Sequence, residues 1–145
     1  MSLQSPPMDA PSPARLYATL AGATLIVLGI VGFFYSASFG SPGEVDEIFG
    51  IFAVNAWSNV LHILSGALGL LVAGYAARQY SLWLGVLYLA LALWGFAIGS
   101  GDSILGFLPV NTGDNLLHLV AGALGVGAAL STPGLKKGKG EPATA

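Results

Sequence analysis

Two stretches of this chain decide its fold: residues 54–74, VNAWSNVLHILSGALGLLVAG, and residues 110–130, VNTGDNLLHLVAGALGVGAAL. They lie 56 residues apart and are identical at 10 of 21 positions. Three further identical pairs precede them at the same offset, beginning at Asp46 and Asp102. Agreement over this length without a gap indicates an internal duplication.

The composition is typical of a membrane protein. The chain of 145 residues is 54% hydrophobic and only 8% charged, whereas soluble domains carry about 25% charged residues. A net charge of -2 and the lack of a basic stripe argue against a nucleic-acid partner. With no cysteine, disulfides, thiolate metal sites and cysteine redox chemistry are excluded.

Four apolar segments have the length of membrane-spanning helices. Their 18 to 22 residues fit the range of about 17–25 that a bilayer requires. The predicted spans are residues 16–35, 56–77, 81–98 and 111–130, with Arg78-Gln79-Tyr80 as the turn between the second and third. Residues 1–14 and 132–145, rich in Pro and Ser or in Lys, are predicted to be disordered cytoplasmic tails.

A cleaved signal peptide is the competing interpretation of the first span, because Ser36-Ala37-Ser38 resembles a cleavage site. The apolar run exceeds the usual core of about 7–15 residues, and a single Arg precedes it. We therefore expect this span to be retained.

The first and third spans also resemble each other, at an offset of 63 that aligns Gly22 with Gly85 and Gly32 with Gly95. The sequence thus predicts an all-α integral membrane protein in which residues 15–131 form one four-helix domain. Repeat one covers about 15–77 and repeat two about 78–131. Two spans per repeat return the chain to its starting side, so the repeats are parallel and are related by a pseudo-two-fold axis along the membrane normal.

The charges indicate an orientation. All five basic residues fall on one side of the four-span arrangement, and five acidic residues fall on the other. The basic set is Arg15, Arg78, Lys136, Lys137 and Lys139, and the acidic set is Glu44, Asp46, Glu47, Asp102 and Asp114. Positive-inside bias places both termini in the cytoplasm.

Each predicted helix carries a stripe of small residues at spacings of three, four or seven. The stripes contain Gly22, Gly29 and Gly32, then Gly66 and Gly69, then Gly85, Ala92 and Gly95, and finally Gly122 and Gly125. Helix association in lipid depends on close backbone approach and on polar contacts. We therefore expect a compact left-handed bundle with crossing angles near about +20°.

At the outer ends of the second and fourth spans the stripe gives way to polar residues on successive turns. These are Asn55, Asn59 and His62 in one span and Asn111, Asn115 and His118 in the other. Polar side chains in hydrocarbon need partners, so these should face the bundle interior. One interpretation is a hydrogen-bonded clamp between helices. The other is a ligand site in which His62 and His118 hold haem or another tetrapyrrole.

Other chemistry has less support. A metal site usually needs three or four ligands, and only Asp46, Asp102 and Asp114 could join the two histidines from loops. A proton relay lacks a buried Asp, Glu or Lys to continue its path. There is also no phosphate loop, no Ser-His-Asp arrangement and no pair of intramembrane carboxylates, so we expect no enzyme activity.

Two outer segments, residues 47–52 and 103–108, are unusually apolar for loops and too short to span. We expect each to fold back onto the bundle or to lie in the outer interface. Asp46 and Asp102, at their starts, are predicted to cap a short helical turn.

The doubled pattern Phe/Leu-Gly-Ile/Phe-Phe/Leu-x-Val-Asn followed by Asn-x-x-His-x-x-x-Gly-x-x-Gly resembles bacterial four-span membrane proteins of domain-of-unknown-function family 4383. The resemblance covers about residues 16–130, and Ala53 departs from the Pro that stands at position 109 in the second copy. It implies a bacterial inner membrane and supplies no activity.

These observations predict a small non-enzymatic membrane protein that acts as an accessory subunit of a larger complex, of respiratory or photosynthetic type. Its partners would be the lipid bilayer and other membrane subunits or a second copy, with no resident cofactor. Haem or pigment binding is the alternative function, and transport is a weaker one because no span is broken at mid-depth.

Overall fold

The computed structural model describes residues 10–40 and 45–134, which form helices and two small β-hairpins. The elements are α1 (Pro13–Tyr35), β1 (Asp46–Ile48), β2 (Phe52–Val54), α2 (Ala56–Val72), α3 (Ala77–Ile98), β3 (Asp102–Ile104), β4 (Leu108–Val110) and α4 (Thr112–Ser131). Within these ranges α1, α3 and α4 are long and apolar enough to cross a membrane, while α2 has 17 residues. The predicted helical membrane protein is therefore confirmed, with α2 shorter than expected.

Most of both predicted tails, together with Glu44 and the three lysines, lies outside the described residues. Where the structure does describe the tails, α1 already includes Pro13 and Ala14. Ser12 caps this helix, because its side chain accepts a hydrogen bond from the Arg15 N–H, and Pro13 is suited to the first turn.

The predicted connection between α2 and α3 is wrong. Arg78-Gln79-Tyr80 belongs to the first turn of α3, and the chain reverses over residues 73–76 instead. The sequence Val-Ala-Gly-Tyr-Ala-Ala is apolar on both sides of this reversal, so hydropathy does not mark the ends of the helices. Gly74 was the local signal of a break. Arg78 instead binds the end of α4, donating from Nε to the carbonyl oxygens of Ala129 and Thr132 at 3.2 Å.

The helices pack chiefly as two antiparallel pairs, α1 with α2 and α3 with α4. Glycines lie at both contacts. A Cβ added to Gly22 would come 2.8 Å from Gly66 O, and one added to Gly85 would come 2.6 Å from Val126 N. The close approach expected of the small stripes therefore occurs within each pair.

Contacts between the two pairs are unequal. Helix α1 packs on both α3 and α4, whereas α2 touches α3 only sparsely. Two tyrosines near the starts of α1 and α3 join the pairs: Tyr17 Oη donates to Ala121 O at 2.8 Å, and Tyr80 Oη donates to Ser65 O at 2.9 Å. Each bond connects a residue of one pair to the backbone of the other.

The outer segments form β-hairpins. Asp46 and Asp102 begin strands β1 and β3, so the predicted helical turns are wrong. Strand β1 pairs antiparallel with β2, and β3 pairs with β4. In β1 and β3 only the last residue of the strand is buried, Ile48 and Ile104, and each hairpin is anchored to the bundle through this side chain.

Both hairpin turns have two consecutive residues with positive φ, the geometry of a type I′ turn. In the first turn φ is 52° at Phe49 and 69° at Gly50. In the second φ is 56° at Leu105 and 79° at Gly106. Asn-Gly is the usual sequence of such a turn, so the bulky apolar first residues concealed these hairpins from sequence analysis.

Candidate functional site

The two outermost asparagines begin helices and also connect the two halves. Asn55 and Asn111 are the N-caps of α2 and α4, and each forms a capping box with the residue three positions on. Their amide groups reach across the molecule. Asn55 Nδ2 donates to Phe107 O, and Asn111 Nδ2 donates to Glu47 Oε1 at 2.8 Å. Each cap therefore holds the hairpin of the other half.

The next pair, Asn59 and Asn115, is fully buried between helices. Asn59 Nδ2 donates to Ser36 O at 2.9 Å, which satisfies a carbonyl at the end of α1. The side-chain oxygens of both asparagines lie directly over glycines of the neighbouring helix. A Cβ on Gly32 or Gly95 would fall within 1.9 Å of them. These glycines are needed because only a bare backbone leaves room for the amide.

His62 and His118 lie one turn deeper and line a common cavity. The Nδ1 atom of each ring is buried and has no hydrogen-bond partner among residues 10–40 and 45–134. His118 is 9% exposed, and the edge of its ring packs against Tyr88 with the centroids 4.9 Å apart. The structure thus brings the two histidines together and leaves both with unused hydrogen-bonding capacity.

The cavity has a volume of about 130 Å³ and lies among α2, α3 and α4 in the half of the bundle next to the hairpins. Its wall is mainly apolar, and the second hairpin forms its outer end through Ile104 and Val110. Ser58 and Ser65 add hydroxyl groups to the α2 side. Leu61 and Leu87, which also line it, are exposed on the helix surface, so the cavity communicates with the side of the bundle between α2 and α3.

Asp114 is a site residue whose role was missed in the sequence. It was counted among outward-facing acids, but its side chain is buried. Its Oδ2 accepts from Ala53 N at 2.9 Å and from Asn111 N at 3.1 Å. The signal was present as Asn-x-x-Asp at the start of α4, a capping-box spacing that places the carboxylate against the backbone.

The dimensions of the site limit what it can hold. Among residues 10–40 and 45–134 no three His, Asp or Glu side chains are grouped so as to bind a metal ion. Sites for drug-sized ligands usually measure about 300–1,000 Å³, which is well above the 130 Å³ found here. The cavity has the size of a single small ring, and it favours such a group over a tetrapyrrole.

Apolar spanning helices and a polar outer end buried among them define an integral membrane protein of the helical-bundle class. The family model described as "Domain of unknown function (DUF4383)" matches residues 15–131. The chain belongs to this family, which confirms the resemblance carried by its doubled Asn/His/Gly pattern. No curated protein and no solved structure gives a significant match.

Proposed function

We propose that the chain is a non-enzymatic, multi-pass protein of a bacterial cell membrane that serves as a structural accessory subunit of a larger membrane complex. The observation that carries this proposal is the chemistry of the hairpin tips. Phe49 and Leu105 are 77% and 65% exposed, and both have positive φ. A bulky residue in this conformation costs about 1–2 kcal/mol.

The same position in both hairpins would suit asparagine better, because its short polar side chain tolerates positive φ and water. Apolar residues at positions 49 and 105 therefore lower the stability and the solubility of the isolated chain. Contact with another apolar surface offsets that cost. The tips therefore support docking onto a partner subunit at the outer face of the membrane.

All four helices cross the bilayer in this proposal, including the shorter α2. Helix α2 runs beside α1 from Asn59, next to Gly32, to Leu70, next to Gly22. A helix that accompanies a spanning helix over this distance crosses with it, and 17 residues extend about 26 Å. Arg15 and Arg78 at one end of the bundle support cytoplasmic termini.

A double variant tests the docking proposal. Phe49→Asn combined with Leu105→Asn replaces the strained apolar tips with residues that fit the turn. We expect the wild-type chain, extracted in mild detergent, to migrate within a large native complex and the double variant to migrate alone. The midpoint of thermal unfolding of the purified double variant should be unchanged or higher, because asparagine tolerates positive φ better than Phe or Leu.

Tyr75→Asn is the matched control, since Tyr75 is an exposed aromatic residue in the connection at the opposite end. It should leave the complex intact. The proposal is overturned if the double variant remains in the complex, or if the wild-type chain itself migrates as a free monomer or dimer.

Haem or pigment binding by His62 and His118 is the second candidate, favoured by their unpaired ring nitrogens. The small cavity counts against a macrocycle. Visible absorbance of the purified protein decides this candidate, because a bound tetrapyrrole gives strong bands that change with oxidation state. Transport has the least support, since helices α1 to α4 are continuous over their described lengths.

A further inference from the structure

We propose that the His62–His118 cavity binds the oxygen-bearing ring of a lipid-soluble molecule of the quinone or hydroquinone class, taken up sideways from the outer half of the bilayer. This binding activity is separate from the structural role proposed above. It rests on three properties of the cavity: its unpaired polar atoms, its volume and its opening.

The polar atoms indicate a ligand that forms hydrogen bonds. His62 and His118 both line this small space, and neither ring is hydrogen-bonded within the part of the chain that the structure describes. Each Nδ1 is closed off inside the protein, so Nε2 is the ring nitrogen that a ligand in the cavity can reach. A neutral imidazole has one N–H donor and one nitrogen acceptor. Two of them can donate to the carbonyl oxygens of a quinone or accept from the hydroxyl groups of a hydroquinone.

The charge of the lining excludes an anionic head group. Of the residues that the structure describes, no Lys or Arg lines the cavity, and Asp114 contributes a carboxyl group to its wall. A phosphate would meet that carboxyl group in a site with no positive side chain, where its desolvation is uncompensated. A neutral ring with oxygen substituents does not carry this cost.

The volume matches one ring. An apolar protein cavity of about 150 Å³ holds a benzene molecule, and the present cavity measures about 130 Å³. Leu84, Tyr88 and Leu91 line its α3 side. The cavity is therefore of the order of one six-membered ring, with any tail of the ligand lying outside it, and it is too small to enclose a macrocycle.

The opening faces the lipid rather than water. Sparse packing between α2 and α3 leaves the cavity flanked by Leu61 and Leu87, whose side chains are exposed on apolar helices. A ligand that arrives this way is dissolved in the hydrocarbon. Its aliphatic tail remains between the two leucines while the ring reaches the imidazoles.

Binding can be measured on the full chain in lipid nanodiscs with 15N-labelled histidine. The probe is a benzoquinone that carries a ten-carbon chain, and the comparison compound is the same chain on plain benzene. We expect the quinone to shift the imidazole nitrogen resonances of both histidines saturably. The benzene compound should leave them in place, because it forms no hydrogen bonds.

Two tryptophan variants on α3 separate the cavity from the general surface. Leu87→Trp blocks the opening while keeping both imidazoles, and it should weaken quinone binding at least about tenfold. Leu93→Trp is the matched control: Leu93 is exposed on the same helix and lies outside the cavity lining. It should bind like the wild type.

His118→Phe keeps a ring of similar shape and removes the hydrogen bond from that ring to the quinone. Quinone binding should then be lost, so the saturable shift at His62 should disappear while the circular dichroism spectrum of the helices is retained. The proposal is overturned by any of three results: no saturable shift in the wild type, the same shift with the benzene compound, or unaltered binding by Leu87→Trp.

Discussion

Ala53 and Pro109 occupy the same place in the two hairpins, 56 residues apart, and their backbones differ by one N–H group. Ala53 is 3% exposed, so its N–H needs a partner, which it finds in the carboxylate of Asp114. Pro109 has no N–H to satisfy. The residue equivalent to Asp114 in α2 is Ser58, whose Oγ accepts only from within its own cap, from Asn55 N at 3.0 Å. The two differences between the halves, Ala53 against Pro109 and Ser58 against Asp114, are therefore physically linked. The second half has a carboxylate at the position that the buried N–H of the first half contacts.

The helix starts differ in the same reciprocal way. Gly113 in α4 corresponds to Trp57 in α2. The Ile51 carbonyl of the first hairpin lies so close to Gly113 that a side chain has no room there. Trp57 instead packs against Phe107 of the second hairpin, with ring centroids 5.7 Å apart. Each hairpin thus rests on the helix of the other half, one through backbone contact and the other through an aromatic face.

The largest loss of stability should come from substituting the glycines at the helix contact inside each pair. Gly66→Leu and Gly122→Leu each force a side chain into the neighbouring backbone, since a Cβ at either position comes within 2.9 Å of a backbone atom. We expect each to lower the free energy of unfolding in detergent by about 3 kcal/mol or more.

Gly127→Leu in α4 is the control for these variants, because nothing lies within 4 Å of a Cβ at that position. It should be neutral or stabilising by up to about 1 kcal/mol from helix propensity. If Gly122→Leu were no worse than Gly127→Leu, the close α3–α4 contact would be refuted.

A smaller difference in the free energy of unfolding is expected between alanine variants of Asp114 and of Ser58. Asp114→Ala leaves the buried Ala53 N–H and the Asn111 N–H without their acceptor, and we expect a loss of about 2–3 kcal/mol. Ser58→Ala removes only a local cap and should cost about 1 kcal/mol. Urea unfolding in mixed micelles measures both.

Combining Asp114→Ala with Ala53→Pro sharpens this comparison. Proline at position 53 copies the second hairpin and removes the N–H. In that background Asp114→Ala should lower the free energy of unfolding by about 1 kcal/mol less than it does in the wild type. Additive losses would show that the Ala53–Asp114 bond does not join the two halves.

The smallest effect should come from the two tyrosines that join the pairs. Tyr17→Phe and Tyr80→Phe each remove one hydrogen bond between the helix pairs, of 2.8 and 2.9 Å. Such bonds in membranes average about 0.6 kcal/mol, so we expect two small and equal losses. Thermal unfolding of the single and double variants tests this, and a markedly larger loss for either tyrosine would contradict the matched geometry.

Sequence patterns predicted the helices and their small-residue contacts because these depend on composition and on a period that spans many residues. They also placed Asn59 and His62, with their counterparts in α4, at one end of two helices. The hairpins were missed because their turns contain Phe-Gly and Leu-Gly, and the end of α2 was missed because its flanks are equally apolar. The Asn-x-x-Asp spacing marks Asp114 as part of a capping box, but its second partner, the Ala53 N–H, is 61 residues away, so the link to the other half was missed. A long-range backbone donor leaves no trace in local sequence.

The crossed hairpins have a consequence for the order of synthesis. The first hairpin and α2 leave the ribosome before any part of α4 exists, yet the Ala53 N–H and the Ile51 carbonyl find their places only on Asp114 and Gly113. These two contacts of the first half can therefore form only after α4 has been synthesised. A chain truncated before residue 111 keeps both strands of the first hairpin but lacks Asp114 and Gly113, on which that hairpin rests.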